Sequence, residues 1–118
     1  MRKDLGMRKG KMIAQGAHAS LRVLLDRGDA QDARYVIAMT DAMKAWMTGR
    51  FAKICVGVDS EAALDDVVSR AKAAGLPCAL IIDAGMTEFH GVPTKTCCAV
   101  GPAWSDEVDA VTGSLTLL

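Results

Sequence analysis

Residues 60–83 read SEAALDDVVSRAKAAGLPCALIID and contain two hydrophobic patterns in succession. In the first half, apolar side chains recur three and four positions apart, which predicts an amphipathic helix that begins near Ser60 and stops at Gly75. The run LPCALIID that follows is almost entirely apolar and has the length of a strand covered on both faces. These residues therefore predict a helix that leads directly into a buried strand.

The segments on either side extend this pattern to an α/β fold. A second apolar run, TCCAVGP at residues 96–102, predicts another strand, and the alternation in FAKICVGVD at residues 51–59 predicts one before the helix. Two further helices are predicted over about residues 10–27 and 29–47. The order of these elements indicates helices packed on a sheet. Only MRKDL precedes Gly6, where such a fold normally has a strand, so we expect the first strand to be short or truncated.

Length and composition indicate one globular domain. The chain has 118 residues, and we expect a single domain over residues 1–118. It is 51% apolar and 24% charged, a composition typical of globular rather than disordered chains. No apolar run approaches the ~20 residues of a membrane span, and MRKDLG is not followed by the apolar segment of a signal peptide. We therefore expect a soluble, cytoplasmic protein that does not enter a membrane.

The four cysteines carry little functional signal. They show no CxxC spacing, and two of them are adjacent in the chain, an arrangement that rarely forms a disulfide. Reduced, mostly buried thiols are favoured over a zinc site or a disulfide framework.

The net charge is zero, but cations are concentrated at the N-terminus. Residues 1–15 contain five Lys or Arg side chains against one Asp. A local basic patch on a neutral protein indicates a confined anionic partner, such as a few phosphates, rather than a surface that coats nucleic acid. A basic end that is merely solvated would give the same pattern.

The first cluster of candidate functional residues lies at the start of the predicted N-terminal helix. Lys11 stands at or just before the helix N-terminus, where free N–H groups favour anions and neighbouring glycines let a ligand approach the backbone. Gln15 and His18 follow four and seven positions later and share a side of the helix with Lys11. The alternative is that Gln15 and His18 are ordinary polar residues that satisfy loop carbonyls. GMRKGKM is a poor nucleotide-binding loop, because its glycines are one residue too close and Met12 replaces the Ser or Thr that would hold magnesium.

The second cluster begins at Asp83, which ends the apolar run LPCALIID. Ligands in open α/β sheets usually bind at strand ends, so Asp83 is a better functional candidate than an acid on a helix face. Thr87, Thr94 and Thr96 lie around a Gly and Pro turn on the same side of the predicted sheet. Their hydroxyls can donate to a carbonyl or orient a water molecule, although turn and strand propensity would also explain them.

Motifs of several other reaction classes are missing. The sequence contains no GxSxG elbow, no Cys/His pair of recognisable spacing and no HExxH metal helix. Glu88 and His90 occupy the same loop as Thr87 and are interpreted as exposed polar residues without a functional role. A thiol enzyme that used Cys97 or Cys98 would require a base that no spacing supplies.

Four blocks that follow one another along nearly the whole chain carry a resemblance to a known family. They are DLGMRKGKMIAQGAHAS, SEAALDDVVSRAKAAGLPCALIIDAGMTEF, GVPTKTCCAVGP and VTGSLTLL. In order and spacing they resemble the type 2 peptidyl-tRNA hydrolases of archaea and eukaryotes. The resemblance implies a single α/β domain with a mixed four-stranded sheet flanked by helices. It also implies cleavage of the ester between peptide and tRNA, with no metal and no cofactor.

The resemblance assigns catalytic roles within the two clusters. Lys11 matches the family's active-site lysine, and Asp83 and Thr87 match its DAGxT motif. Thr96 matches the threonine at the start of the TxxxxGP strand. By this resemblance Asp83 positions or deprotonates the attacking water, and Lys11 stabilises the oxyanion or holds a nearby phosphate. Thr87 and Thr96 would then bind peptide or ribose.

Substrate binding is expected from the cations and polar residues beside these groups. The predicted substrate-binding residues are Arg8, Lys9, Gln15, His18 and Thr94. The expected partner is peptidyl-tRNA, and the sequence leaves a homodimer open. A second hypothesis comes from another class: a noncatalytic RNA-binding or protein-interaction module on the same fold. The retained Lys11, Asp83 and Thr96 argue against that module.

Overall fold

The structure is a computed structural model that describes all of residues 1–118. It contains four helices and two antiparallel strand pairs. In chain order they are α1 (Lys9–Leu25), β1 (Gly28–Gln31), β2 (Arg34–Ile37), α2 (Asp41–Thr48), α3 (Glu61–Ala73), β3 (Cys78–Asp83), β4 (Thr94–Val100) and α4 (Ser105–Thr112).

The central layer is built on β3 and β4. These strands pair antiparallel from Cys78 opposite Val100 to Asp83 opposite Thr94, with a register shift after Ile81. The apolar runs predicted as strands are therefore confirmed, and the strand that ends at Asp83 brings this residue to the end of the sheet.

Short segments continue the layer beyond β4. The Arg2 N–H donates to the Thr96 carbonyl at 2.9 Å, and the Lys3 N–H donates to the Val58 carbonyl at 2.8 Å. Arg2 forms a parallel bridge with Val58, and Val56 forms an antiparallel bridge with Leu117. The α/β class and the mixed pairing are confirmed, but within this layer only β3 and β4 form a continuous ladder, so the predicted four-stranded sheet is present as one strand pair extended by single bridges. The expected first strand is reduced to a bridge at Arg2, which bears out the expectation of a short strand.

Helices cover both faces of this layer. The helix predicted after Ser60 is α3, and the Ser60 hydroxyl accepts the Ala63 N–H at 3.1 Å, as an N-cap residue does. Cys98 of β4 packs against the core cluster formed around α3, whereas the adjacent Cys97 contacts α1 through the Gln15 carbonyl. Because neighbouring residues of a strand point to opposite faces, α1 and α3 lie on opposite sides of the β3–β4 pair.

The predicted helix over residues 29–47 is wrong. The chain instead forms the β1–β2 hairpin and then the shorter α2. Asp32 adopts φ 50° at the turn, a conformation that aspartate tolerates better than most residues. The Tyr35 hydroxyl lies 2.5 Å from the Leu25 carbonyl oxygen and 2.9 Å from that of Gly28, so it ties the hairpin to the end of α1. Thr40 then caps α2 by accepting the Met43 N–H.

Two smaller expectations are corrected by the structure. The strand predicted over residues 51–59 is limited to bridges at Val56 and Val58, and Ile54 within that segment is 75% exposed. All four cysteines are free thiols, but only Cys97 is buried and Cys55 is exposed.

Candidate active site

Asp83 is the centre of the candidate site, at the carboxyl end of β3. Its Oδ1 lies 2.7 Å from the Lys11 Nζ and accepts the Gln15 amide at 2.9 Å. Its Oδ2 accepts the Gly85 N–H at 2.9 Å. The carboxylate is therefore held by three donors from α1 and from the turn that follows β3.

These contacts favour the ionised form of Asp83. The Lys11 ammonium holds the pKa of the Asp83 carboxyl below its usual range, and the Gly85 N–H and the Gln15 amide act in the same direction against the opposing effect of burial. At neutral pH the group is a carboxylate, so it is an acceptor for water or for an alcohol rather than a proton donor.

Lys11 connects Asp83 to the loop that follows β3. Its side chain is 11% exposed, and the Nζ donates to the Thr87 hydroxyl at 3.0 Å. The same ammonium lies 5.4 Å from the centre of the Phe89 ring, within range of a cation–π contact. Lys11 and Thr87 are 76 positions apart, so the structure brings the two sequence clusters together in one place.

Gln15 and Thr96 stand behind Asp83, away from solvent. Thr96 is 0% exposed and Gln15 is 1% exposed. The Thr96 hydroxyl donates to the Gln15 Oε1 at 2.5 Å, which leaves the Gln15 Nε2 to donate to Asp83. A carboxylate accepts only, so this orientation of the amide satisfies both neighbours. Gln15 was predicted to bind substrate and Thr96 to be catalytic, and in the structure both support Asp83 from inside the protein.

Glu88 joins the loop to the start of α1, a role that sequence reasoning missed. Its carboxylate lies 2.7 Å from the Arg8 guanidinium and accepts the Arg8 N–H at 3.3 Å. Arg8 holds the pKa of the Glu88 carboxyl below its usual value. The sequence contained both partners, the acid Glu88 beside Thr87 and the cation Arg8 at the start of the predicted helix, but they are 80 positions apart, so no local pattern joined them. This contact fixes Thr87 near Lys11.

Gly85 makes the tight turn between β3 and this loop. Its φ is 81°, and a Cβ at this position would collide with the backbone of Val92. A residue with a side chain is therefore excluded here on two grounds. Because the Gly85 N–H is one of the donors to Asp83, the glycine also shapes the site.

The other predicted substrate-binding residues lie around the rim. Lys9 is exposed and makes no ion pair, whereas the exposed Arg8 is paired with Glu88. His18 is exposed on α1 and lines a groove that also reaches Asp83. Thr94 is paired with Asp83 across the two strands, and its hydroxyl donates to the Val92 carbonyl.

The site has the chemical parts of a hydrolytic centre. An ionised carboxylate, a neighbouring ammonium and a hydroxyl are gathered where β3 ends, and cations stand on one side of them. No group of three or more His, Cys, Asp or Glu side chains is placed to hold a metal ion. No helix is both long enough and apolar enough to cross a membrane. Together the fold and the site define an α/β protein with a carboxylate–lysine centre at the end of β3.

Comparison with known proteins identifies the family. Residues 1–118 match the family described as peptidyl-tRNA hydrolase PTH2. The peptidyl-tRNA hydrolase of Methanocaldococcus jannaschii is 40% identical over 118 residues, which cover 100% of this chain and 95% of the relative. The peptidyl-tRNA hydrolase of Aeropyrum pernix is 40% identical over 121 aligned residues, covering 99% of this chain and 90% of the relative. The chain therefore belongs to the peptidyl-tRNA hydrolase PTH2 family, as the sequence resemblance predicted.

Proposed function

We propose that this chain hydrolyses the ester between peptide and tRNA in peptidyl-tRNA, and that Asp83 and Lys11 carry the chemistry. The observation that supports this most directly is the ion pair of 2.7 Å between Lys11 and Asp83 at the end of β3, in a chain that belongs to the PTH2 family. Water attacks the ester carbonyl carbon, the bond to the ribose oxygen breaks, and that oxygen leaves with a proton.

Asp83 acts mainly by orienting the water molecule. A carboxylate has about four acceptor positions, and Lys11, Gln15 and the Gly85 N–H occupy three of them. The remaining position is on Oδ2, which can accept a hydrogen bond from water. Because the pKa of Asp83 is lowered, the carboxylate is a weak base at neutral pH, and orientation contributes more than proton abstraction.

Lys11 stabilises the negative charge that develops on the carbonyl oxygen. An ammonium has three N–H donors, and Asp83 and Thr87 accept two of them. The third N–H is available to the oxyanion, where a fixed donor stabilises the transition state more than the ground state. Thr87 accepts from Lys11, so its own hydroxyl proton is free to donate to ribose or peptide.

The tRNA approaches from the N-terminal end of α1. Lys9 presents an exposed charge that no carboxylate neutralises, and the free N–H groups of the helix start add to its attraction for phosphate. Arg8 reaches a phosphate only by leaving Glu88, so Lys9 is the stronger contact. Thr94 and His18 lie beside the same opening and would contact the ribose and the first peptide residue.

The substrate is made at the ribosome, so we place the activity in the cytoplasm. A homodimer stays a prediction, and sedimentation of the purified chain over a range of concentrations tests it.

Release of labelled peptide from N-acetyl-aminoacyl-tRNA tests the proposal. Asp83→Asn keeps the size of the side chain but removes its charge, so hydrolysis should fall roughly 100-fold or more while tRNA binding persists. Lys11→Ala should weaken the affinity for tRNA and the rate of hydrolysis together, because we propose that Lys11 contacts both the developing oxyanion and a nearby phosphate. Asp29→Asn, on the exposed hairpin strand β1, is the matched control and should behave as the wild-type chain does.

The noncatalytic module predicts a different pattern in the same assay. In that case the wild-type chain binds tRNA but releases no peptide, and both substitutions alter affinity only. This result would reject the hydrolase mechanism for this chain.

A further inference from the structure

A groove of about 640 Å³ runs from Asp83 along the outer side of β3. One wall is a stripe of α1 that begins at His18 and continues through Leu21 and Leu25. The other wall is formed by the consecutive residues 80–84. Alternate residues of a strand point to opposite faces, so a wall of consecutive residues means that the groove meets β3 at its edge and not on one face.

This edge of β3 has no partner. The sheet that contains β3 has two strands, and β4 occupies only one side of it. Apart from the ladder with β4, no backbone hydrogen bond involves residues 78–83. An unpaired edge presents alternate N–H and C=O groups outward, and an extended peptide can bind there by adding a strand.

The exposed side chains of α1 change from cationic at its start to largely apolar toward its end, which suits the tRNA part of the substrate at one end and the peptide part at the other. The helix start carries the exposed cation Lys9, which no carboxylate neutralises and which suits tRNA phosphates. The groove beyond Asp83 is lined by more apolar than polar residues, and two of the apolar ones present much of their surface to it, with Leu21 58% exposed and Ile82 59% exposed. Its cation Arg22 is neutralised by an ion pair with Asp26, the residue that follows α1. An anionic polymer is therefore favoured on one side of Asp83 and a neutral, partly apolar chain on the other.

We propose that the peptide part of the substrate lies in this groove as an extended strand added to the free edge of β3. This proposal rests on the proposed function, which places the ester at Asp83. The peptide's carboxyl end carries the ester, and β3 also ends with its carboxyl end at Asp83, so the two chains run parallel. Leu80–Asp83 spans four residues, or ~13 Å, which is enough for three or four peptide residues.

Backbone pairing also fits the nature of the ligand. Peptides attached to tRNA differ in sequence, and the chemistry they share is that of the main chain. Recognition of the main chain by β3, with side chains resting on Leu21, Leu25 and Ile82, accepts many sequences without a dedicated pocket for one of them.

Substrates of increasing peptide length test the proposal. We expect kcat/KM to rise roughly tenfold from N-acetyl-aminoacyl-tRNA to an N-acetyl-tetrapeptidyl-tRNA, as hydrogen bonds and apolar contacts are added, and to change little beyond four residues. N-methylation of single amides in the tetrapeptide should reduce kcat/KM at every second position, because only alternate N–H groups of an extended strand face β3.

A pair of variants on α1 locates the effect. Leu21→Gln removes an apolar contact from the groove and should reduce the gain from peptide length severalfold. Ile13→Gln is the matched control, since Ile13 is also exposed on α1, at 73%, but does not line the groove. Both positions are at the surface, so folding should be unaffected.

The outcomes separate this proposal from the hydrolase function itself. Hydrolysis of N-acetyl-aminoacyl-tRNA without dependence on length or N-methylation would overturn the groove proposal and leave the proposed function intact. No hydrolysis of any substrate would reject the proposed function. Conversion of a dimer to a monomer by Leu21→Gln, with no length dependence, would assign the groove to a second copy of this chain and overturn the peptide site.

Discussion

Substitution of Thr96 by Val distinguishes a supporting residue from one that touches substrate. Thr96 has no exposed surface, and its hydroxyl donates to the Gln15 Oε1 at 2.5 Å. Val has nearly the same shape but no hydroxyl, so the buried Gln15 oxygen loses its donor. An unsatisfied buried polar group costs about 1–3 kcal/mol, and we expect the free energy of unfolding of Thr96→Val to fall by that amount.

The same substitution should lower kcat by a smaller factor than loss of the Asp83 charge. Without the Thr96 hydroxyl the Gln15 amide is free to rotate, so Asp83 loses one fixed donor but keeps Lys11 and the Gly85 N–H. Loss of up to about 1.4 kcal/mol of transition-state stabilisation corresponds to a decrease of roughly tenfold or less. KM should be unchanged, because neither Thr96 nor Gln15 reaches the opening of the site.

Urea unfolding and steady-state kinetics on N-acetyl-aminoacyl-tRNA measure the two effects. Thr96→Ser retains the hydroxyl and should recover most of kcat, with only the cost of a missing methyl group, ~1 kcal/mol. Thr48→Val is the control, because the exposed Thr48 hydroxyl donates only to the Lys44 carbonyl within α2, away from the site. Wild-type stability in Thr96→Val would contradict the buried hydrogen bond. A loss of kcat equal to that of Asp83→Asn, with unchanged stability, would show that Thr96 acts on the substrate directly.

Three further predictions concern charge, salt and thiols. The pKa of Asp83 is depressed in the folded chain, so the ionised carboxylate contributes to stability above the unfolded pKa of about 3.9, and this contribution is lost as pH falls through the folded pKa. Lys11→Met should raise the pKa of Asp83 in a carboxyl NMR titration, and no rise would contradict the ion pair. Affinity for tRNA should fall with salt at a logarithmic slope of about −2 to −3, and Lys9→Ala should reduce that slope by about one, whereas Lys72→Ala at the far end of α3 should leave it unchanged. Burial raises the pKa of the Cys97 thiol, so Cys97→Ala should keep near wild-type kcat with a modest loss of stability; a folded but inactive Cys97→Ala would restore the thiol hypothesis.

The elements that sequence reasoning predicted correctly are those with strong local patterns. The helix from Glu61 to Ala73 has its cap, its apolar stripe and its stop within one short segment, and it forms as predicted. The strand that ends at Asp83 is recognisable from a single apolar run. By contrast, the β1–β2 hairpin was predicted as helix, because Ile37 could belong to a helical stripe and the Tyr35 contact with the end of α1 is not a local signal.

The amino-acid sequence by itself determined α1, α3 and the strands β3 and β4, because periodicity and end signals act over a few neighbouring positions. The resemblance of its motifs to one family also predicted the chemistry from sequence. Only the tertiary structure decided which residues touch Asp83. Gln15 and Thr96 are 81 positions apart, and Arg8 and Glu88 are 80 apart, so their contacts exist only when α1 packs on the sheet. Packing made one predicted catalytic threonine an internal support, and it left the edge of β3 open beside the reacting carboxylate.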